Sequence, residues 1–148
     1  VMANSPAALG GYIALSGELG AGSLPAKVRE QIAILVAEVN ACTYCLSAHS
    51  AIGKALGLNP AELASARNGD SENGKAAAAL RFAQAVLLGK GEVFDDEFER
   101  VRKAGWSDGE IAEIVANVAL NVYTNFFNKA FEVDVDFPKV VPQTVGAA

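Results

Sequence analysis

Helix-start and helix-stop signals recur from one end of this chain to the other and leave almost no stretch that reads as strand. Ser5-Pro6 places a capping serine before a proline at the first helical position, opening Ala7 to Leu19, and Gly20-Ala21-Gly22 closes it. Ser23-Leu24-Pro25 opens a second helix to about Asn40, with Val28, Ile32, Leu35, Val36 and Val39 at helical spacing and Lys27, Glu30 and Gln31 on another face. A third runs from about Cys42 to Leu56, where Gly57 stops it. Asn59-Pro60 starts a short helix to about Arg67, and Asn68-Gly69-Asp70 is a turn. The alanine-rich Gly74 to Leu88 ends at Gly89-Lys90-Gly91, and Asp95 or Asp96 opens a helix to Ala104. Ser107-Asp108-Gly109-Glu110 is a capping box for the longest helix, about residues 108 to 131. Only Val133-Asp134-Val135 alternates, and it is too short to found a sheet. The expectation is an all-α chain, a compact bundle of about six to seven helices in one domain over 1–148, with an extended tail 134–148 holding Pro138 and Pro142.

With 148 residues and 51% hydrophobic content, the chain is long enough to bury a core of its own. A net charge of -5 and twelve scattered Lys and Arg argue against nucleic acid as a partner. Two cysteines are too few for a secreted disulfide scaffold, and the amino end has no signal-peptide pattern, so the expected location is a reducing cytoplasm. Val1-Met2 is read as a remnant ahead of the natural start. No membrane span is expected, because the richest apolar stretch, Ile111 to Phe131, is broken by Glu113, Asn117, Asn121, Asn125 and Asn128. That stretch carries Leu120, Val122, Tyr123, Phe126, Phe127 and Phe131 around more than one face, which implies burial against another subunit. The asparagines recur at helical spacing, either as hydrogen-bonding groups at such a contact or as a polar surface stripe.

Chemistry concentrates in Cys42-Thr43-Tyr44-Cys45-Leu46-Ser47-Ala48-His49, which holds both cysteines and the single histidine. Cys-x-x-Cys is close enough to cycle between dithiol and disulfide, and on a helix Cys42, Cys45 and His49 fall on one line. Cys42 at a helix start lies near unpaired N–H groups that favour a thiolate, whereas Cys45, a turn deeper, relies on His49. Such surroundings bring a thiol from about 8.5 down to roughly 3.5–7.5. The bland reading is a pair of buried cysteines acting as small hydrophobes. A zinc site would need Glu30 or Glu38 as a fourth ligand beside Cys42, Cys45 and His49; no metal is expected. Read locally, Glu30 beside Arg29 is a solvated surface residue.

A helix carrying a glutamate, then Cys-x-x-Cys-x-x-x-His at the start of the next helix, resembles the alkylhydroperoxidase D-like group of the carboxymuconolactone decarboxylase family. The resemblance spans about residues 24–132 and includes Gly105-Trp106-Ser107-Asp108-Gly109-Glu110-Ile111-Ala112-Glu113-Ile114-Val115 and the asparagine-rich Ala119 to Asn128. It implies a peroxidatic Cys45, a resolving Cys42, a relay histidine at His49 and a relay glutamate at Glu30, twelve residues before Cys42. Glu38, four residues before Cys42, is the rival for the relay. Some members carry a further histidine between the cysteines, where this chain has Tyr44, read as a packing or substrate-facing residue. The family's decarboxylase branch typically lacks the two cysteines, so their presence points to the redox branch.

The implied activity is thiol-dependent reduction of organic hydroperoxides. The disulfide would be reduced by an external dithiol, a lipoyl group or a thioredoxin-like protein, without a bound cofactor and in a homotrimer or homohexamer. The alternatives are a carboxymuconolactone decarboxylase-like or lactone-processing enzyme with incidental cysteines, and a non-catalytic redox-responsive binding protein.

Overall fold

The computed structural model describes residues 1–143. After a short 3-10 turn, seven helices follow: α1 Pro6–Gly20, α2 Ala26–Val39, α3 Thr43–Ala55, α4 Pro60–Arg67, α5 Gly74–Leu88, α6 Asp95–Lys103 and α7 Asp108–Ala130. The described residues include no strand, and the fold is an all-α bundle.

The helix starts are made by the side chains the sequence offers. Ser5 accepts from the Ala8 N–H with Pro6 behind it, and Asn73 accepts from the Ala76 N–H. Asn59 with Glu62, and Ser107 with Glu110, form reciprocal capping boxes. Gly57 (φ 84°) and Gly105 (φ 92°) end α3 and α6 in the left-handed region that side chains with a Cβ avoid. A carboxylate links distant elements: Glu113 on α7 accepts from the N–H groups of Ser23 (2.8 Å) and Leu24 (3.0 Å), fixing the loop that leads into α2.

Helix α2 is the centre of the bundle and packs against α3, α4, α5 and α7. One side of it, Val28, Ile32, Leu35 and Val36, meets Leu80, Phe82, Ala83 and Val86 of α5, Val101, Trp106, and Ile111, Ile114 and Val118 of α7. Another side, Ile34 and Ala37, meets Cys42, Cys45, Leu46 and Ala66. The sequence pattern shows one apolar stripe, but residues 31–38 are buried without interruption, as in a helix enclosed on all sides. The face expected to be polar is therefore closed as well: Gln31 is buried beside Ser71, and Lys27 alone of its three residues is exposed.

The tail turns back over α3. Val140 N–H donates to Ser47 Oγ (2.9 Å), Arg67 donates to the Val141 carbonyl (2.8 Å), and Phe137 meets Tyr44 edge to face. Residues 134–142 lie in neither helix nor strand; 144–148 of the expected tail lie outside the described residues. No helix among the described residues is long and apolar enough to cross a membrane.

The Ser107–Glu110 box yields a stability test. Hydrogen bonds from Ser107, first its backbone N–H and then its hydroxyl, hold the Glu110 carboxyl below its ordinary range. A depressed acid contributes stability above its unfolded pKa and loses it as pH falls through the folded value. Ser107→Ala is expected to cost about 1 kcal/mol at neutral pH by urea unfolding. The gap from the parent should narrow on acidification below the carboxylate range; a gap that stays constant would show that the Glu110 bond to the hydroxyl contributes nothing.

Candidate active site

The site begins where α2 ends. Cys42 N–H donates to the Ala37 carbonyl (2.9 Å) and Ala41 N–H to that of Glu38 (3.0 Å), the paired bonds of a Schellman stop, with Ala41 in the left-handed region at φ 51°. Cys42 then serves at once as the residue that closes α2 and as the N-cap of α3. Its Sγ accepts from the Cys45 N–H at 3.3 Å, so a sulfur fills the place usually held by a serine or aspartate oxygen. Cys42 and Cys45 are joined as a disulfide with Cα atoms 5.4 Å apart. Both are closed off from solvent, at 1% and 2% exposure.

One turn further along the same face, half-buried His49 meets α2. Its Nδ1 lies 2.8 Å from Glu30 Oε2. A carboxylate only accepts, so Nδ1 carries the hydrogen, and in the neutral ring Nε2 is the remaining acceptor. Glu30 is thus not the solvated residue its local sequence suggests; its side chain is 17% exposed. Beside the pair opens a cavity of about 250 Å³, walled by Tyr12 and Ser16 of α1, Arg29 of α2 and Thr124 of α7. Neither sulfur lines it.

Glu38 faces elsewhere. It is buried, accepts from Arg67 Nε at 2.7 Å and from the Gln143 N–H at 2.6 Å, and so ties α2 to α4 and the tail. Tyr44 packs at the edge of the cysteine cluster, its ring centroid 5.9 Å from that of Phe137. Burial pushes its phenol up, with Asp136 and then Tyr12 adding to the shift. The described residues contain no group of three or more His, Cys, Asp and Glu disposed to hold a metal ion.

The asparagines of α7 depart from both expectations. Asn117, Asn121 and Asn125 are buried within the subunit rather than spread on a surface or at a contact. Asn117 and Asn121 donate back to the carbonyls four residues earlier, each at 2.8 Å. Asn125 accepts from Asn40 Nδ2 (3.1 Å), and Lys129 Nζ donates to the Asn40 carbonyl (2.7 Å). Asn128 Nδ2 reaches Cys45 Sγ at 3.4 Å, a contact the sequence reading missed. A signal was available: Ile111, Ile114, Val118, Asn121, Asn125 and Asn128 follow one another at steps of three and four, so the asparagines continue the buried face.

Residues 6–87 match the carboxymuconolactone decarboxylase family. The chain belongs to that family. Solved structures share its fold. One, a protein of unknown function from Agrobacterium tumefaciens put forward as an AhpD antioxidant-defence protein, superposes with a TM-score of 0.81 at 22% identity, covering 91% of this chain and 94% of that one. Another, an uncharacterized peroxidase-related protein from Ralstonia eutropha with an alkylhydroperoxidase AhpD core, gives 0.79 at 25% identity over 87% of this chain and 70% of that one. A debrominase solved in complex with 2,3,4-tribromopyrrole gives 0.77 at 23% identity over 91% of this chain and 74% of that one. Among proteins of curated function, none matches this chain. Family membership together with the paired cysteines fits a redox role, and the AhpD-like architecture is that of the bundle described above.

The two glutamates of α2 can be told apart by measurement. Arg67→Met removes a charged hydrogen bond from buried Glu38 and is expected to cost about 2 kcal/mol in urea unfolding. It should leave the pH profile of Cys45 alkylation unchanged. A variant of parental stability, or one with a displaced profile, would contradict the purely structural part assigned to Glu38.

Proposed function

We propose that this chain is a thiol-dependent peroxidase that reduces organic hydroperoxides through Cys45 and Cys42. The observation that carries the reading is a Cys-x-x-Cys disulfide at a helix N-terminus, with a carboxylate-bound imidazole one turn away on the same face. The Cys45 thiol gives its proton to the His49–Glu30 pair, and the thiolate attacks the terminal oxygen of ROOH. The O–O bond breaks, the alkoxide takes up a proton and leaves as ROH, and Cys45 holds a sulfenic acid. The Cys42 sulfur then displaces water from that sulfenic sulfur and forms the disulfide. An external dithiol, a lipoyl group or a thioredoxin-like protein, returns two electrons and two protons and is itself oxidised to a disulfide. Such a donor pool fits a reducing compartment like the cytoplasm.

The assembly we propose is a homotrimer or homohexamer. An apolar groove of about 710 Å³ lies along α5 and α7, lined by Leu87, Val115, Val122, Tyr123 and Phe126, with Phe126 58% exposed. A contiguous patch of this kind is normally covered in solution, and a neighbouring copy in a closed ring can cover it. Light scattering at micromolar concentration is expected to give three or six subunits, and a monomer would overturn the assembly.

Reduced protein given one equivalent of an organic hydroperoxide should lose two hydrogens by mass and leave neither thiol open to alkylation. Both thiols still free after excess peroxide would sink the peroxidase reading in favour of a decarboxylase-like enzyme with incidental cysteines. A disulfide that forms without repeated turnover in the presence of a dithiol would favour a redox-responsive binding protein instead. Cys45→Ser should abolish consumption, and Cys42→Ser should leave a trappable sulfenic acid on Cys45. Glu30→Gln and His49→Gln should each slow the reaction by about 10²–10⁴-fold, with the double variant little worse than either single, since one relay is broken in all three.

A further inference from the structure

The surroundings of the two sulfurs are unequal. The N–H at the start of α3 points at Cys42 Sγ, so the helix terminus serves that sulfur. Cys45 sits one turn in, among Ile34, Ala37, Leu46 and Ala66, and apolar packing of this sort disfavours a thiolate. Set against it is the Asn128 amide, 3.4 Å from Cys45 Sγ. A disulfide or thiolate sulfur can only accept, which orients the nitrogen and not the oxygen of Asn128 toward it. The turn of α7 that carries this amide is also anchored. In the same turn of α7, Asn125 and Lys129 both grip Asn40, the residue two before Cys42, while the backbone carbonyl of Asn128 accepts from Val133 N–H (3.1 Å).

We propose that Asn128 is a further catalytic residue, the side-chain donor that stabilises the Cys45 thiolate in its apolar pocket. The inference rests on the peroxidase reading for its purpose and on geometry for its substance. In the oxidative half, the donor raises the fraction of Cys45 present as the attacking thiolate. In the reductive half, a thiolate of the external dithiol bonds to Cys42 Sγ as the Cys42–Cys45 bond breaks. The electron pair of that bond passes to Cys45 Sγ, beside which the Asn128 amide is already in place. The donor therefore acts on Cys45 as nucleophile and as leaving group alike.

The test needs no peroxide. In a Cys42→Ser background Cys45 is the only thiol, and its ionisation is read by thiolate absorbance in the ultraviolet as pH is varied. Asn128→Ala should raise the midpoint by about one unit, about tenfold less thiolate at pH well below it, and Asn128→Asp, similar in size but without the donor, should raise it further. Alkylation by iodoacetamide at neutral pH should fall by about threefold to fourfold for the alanine variant, because the more basic thiolate is the better nucleophile. If neither substitution moves the midpoint, the assignment is wrong. Should a variant fail to fold, the Asn128 side-chain nitrogen resonance of the otherwise unaltered Cys42→Ser protein decides: it should shift with the thiol midpoint, and a resonance that ignores the titration overturns the proposal. A shifted midpoint in a protein that never consumes peroxide would retire the peroxidase reading and leave Asn128 as the thiolate donor.

Discussion

One residue in a left-handed turn determines where the chemistry of this bundle sits. Ala41, at φ 51°, adopts a conformation that costs an alanine about 1–2 kcal/mol relative to ordinary helix or strand geometry. Its reward is compactness: α2 stops and α3 starts with Cys42 as the shared boundary, and no loop intervenes to blur the angle between them. Glu30 lies about three turns back from that junction and His49 about two turns beyond it, and α3 folds back against α2, which brings them to a 2.8 Å contact. A glycine would accept the same φ without strain but would also leave the junction free to sample others. Asn125 and Lys129 add a second constraint from outside, holding Asn40 against α7.

The closed environment of α2 gives its polar side chains their assignments. A helix with one solvated face lets a glutamate find water, whereas a helix packed against four others requires each carboxylate to find a partner or bear a desolvation cost. Glu30 and Glu38 are eight residues apart, about 80° around the helix after two full turns, and so look toward different neighbours. Glu30 meets an imidazole beside a polar cavity; Glu38 meets a guanidinium and the returning tail. The same logic places Gln31 against Ser71.

Much of this was legible before any coordinates. Helix ends are local affairs, decided by Ser5-Pro6, Asn59-Pro60, Ser107 with Glu110 and the glycines, which is why the boundaries fall within a residue or two of those expected. The line of Cys42, Cys45 and His49 likewise needs only helical spacing. What the sequence hid is tertiary. The apolar spacing of α2 shows the stripe that meets α5 and α7, but the second face is built from Ile34 and Ala37 alone, too few and too small to register as a period. Without a resemblance to follow, Glu30 beside Arg29 reads as surface, because the partner that buries it comes from the next helix. Asn128 was concealed by its residue type: an asparagine on an apolar helix reads as an interruption, although its register is that of the core face.

That register explains how one helix can serve two different environments. The polar cavity beside Glu30 and His49 takes Asn117, Asn121 and Thr124 from the first three-quarters of α7, while the cysteine cluster takes Asn128 from its last turns. The sulfurs and the cavity are thereby kept apart along one face of α3, the imidazole bordering a space roomy enough for water and the sulfurs facing methyl groups. A thiol in the second environment resists ionising, and a lone charge there would be expensive. The arrangement is consistent only if the charge, when it forms, meets donors already aimed at it. The Cys45 N–H does this for one sulfur and the Asn128 amide for the other, so the dry pocket strengthens both contacts instead of working against them.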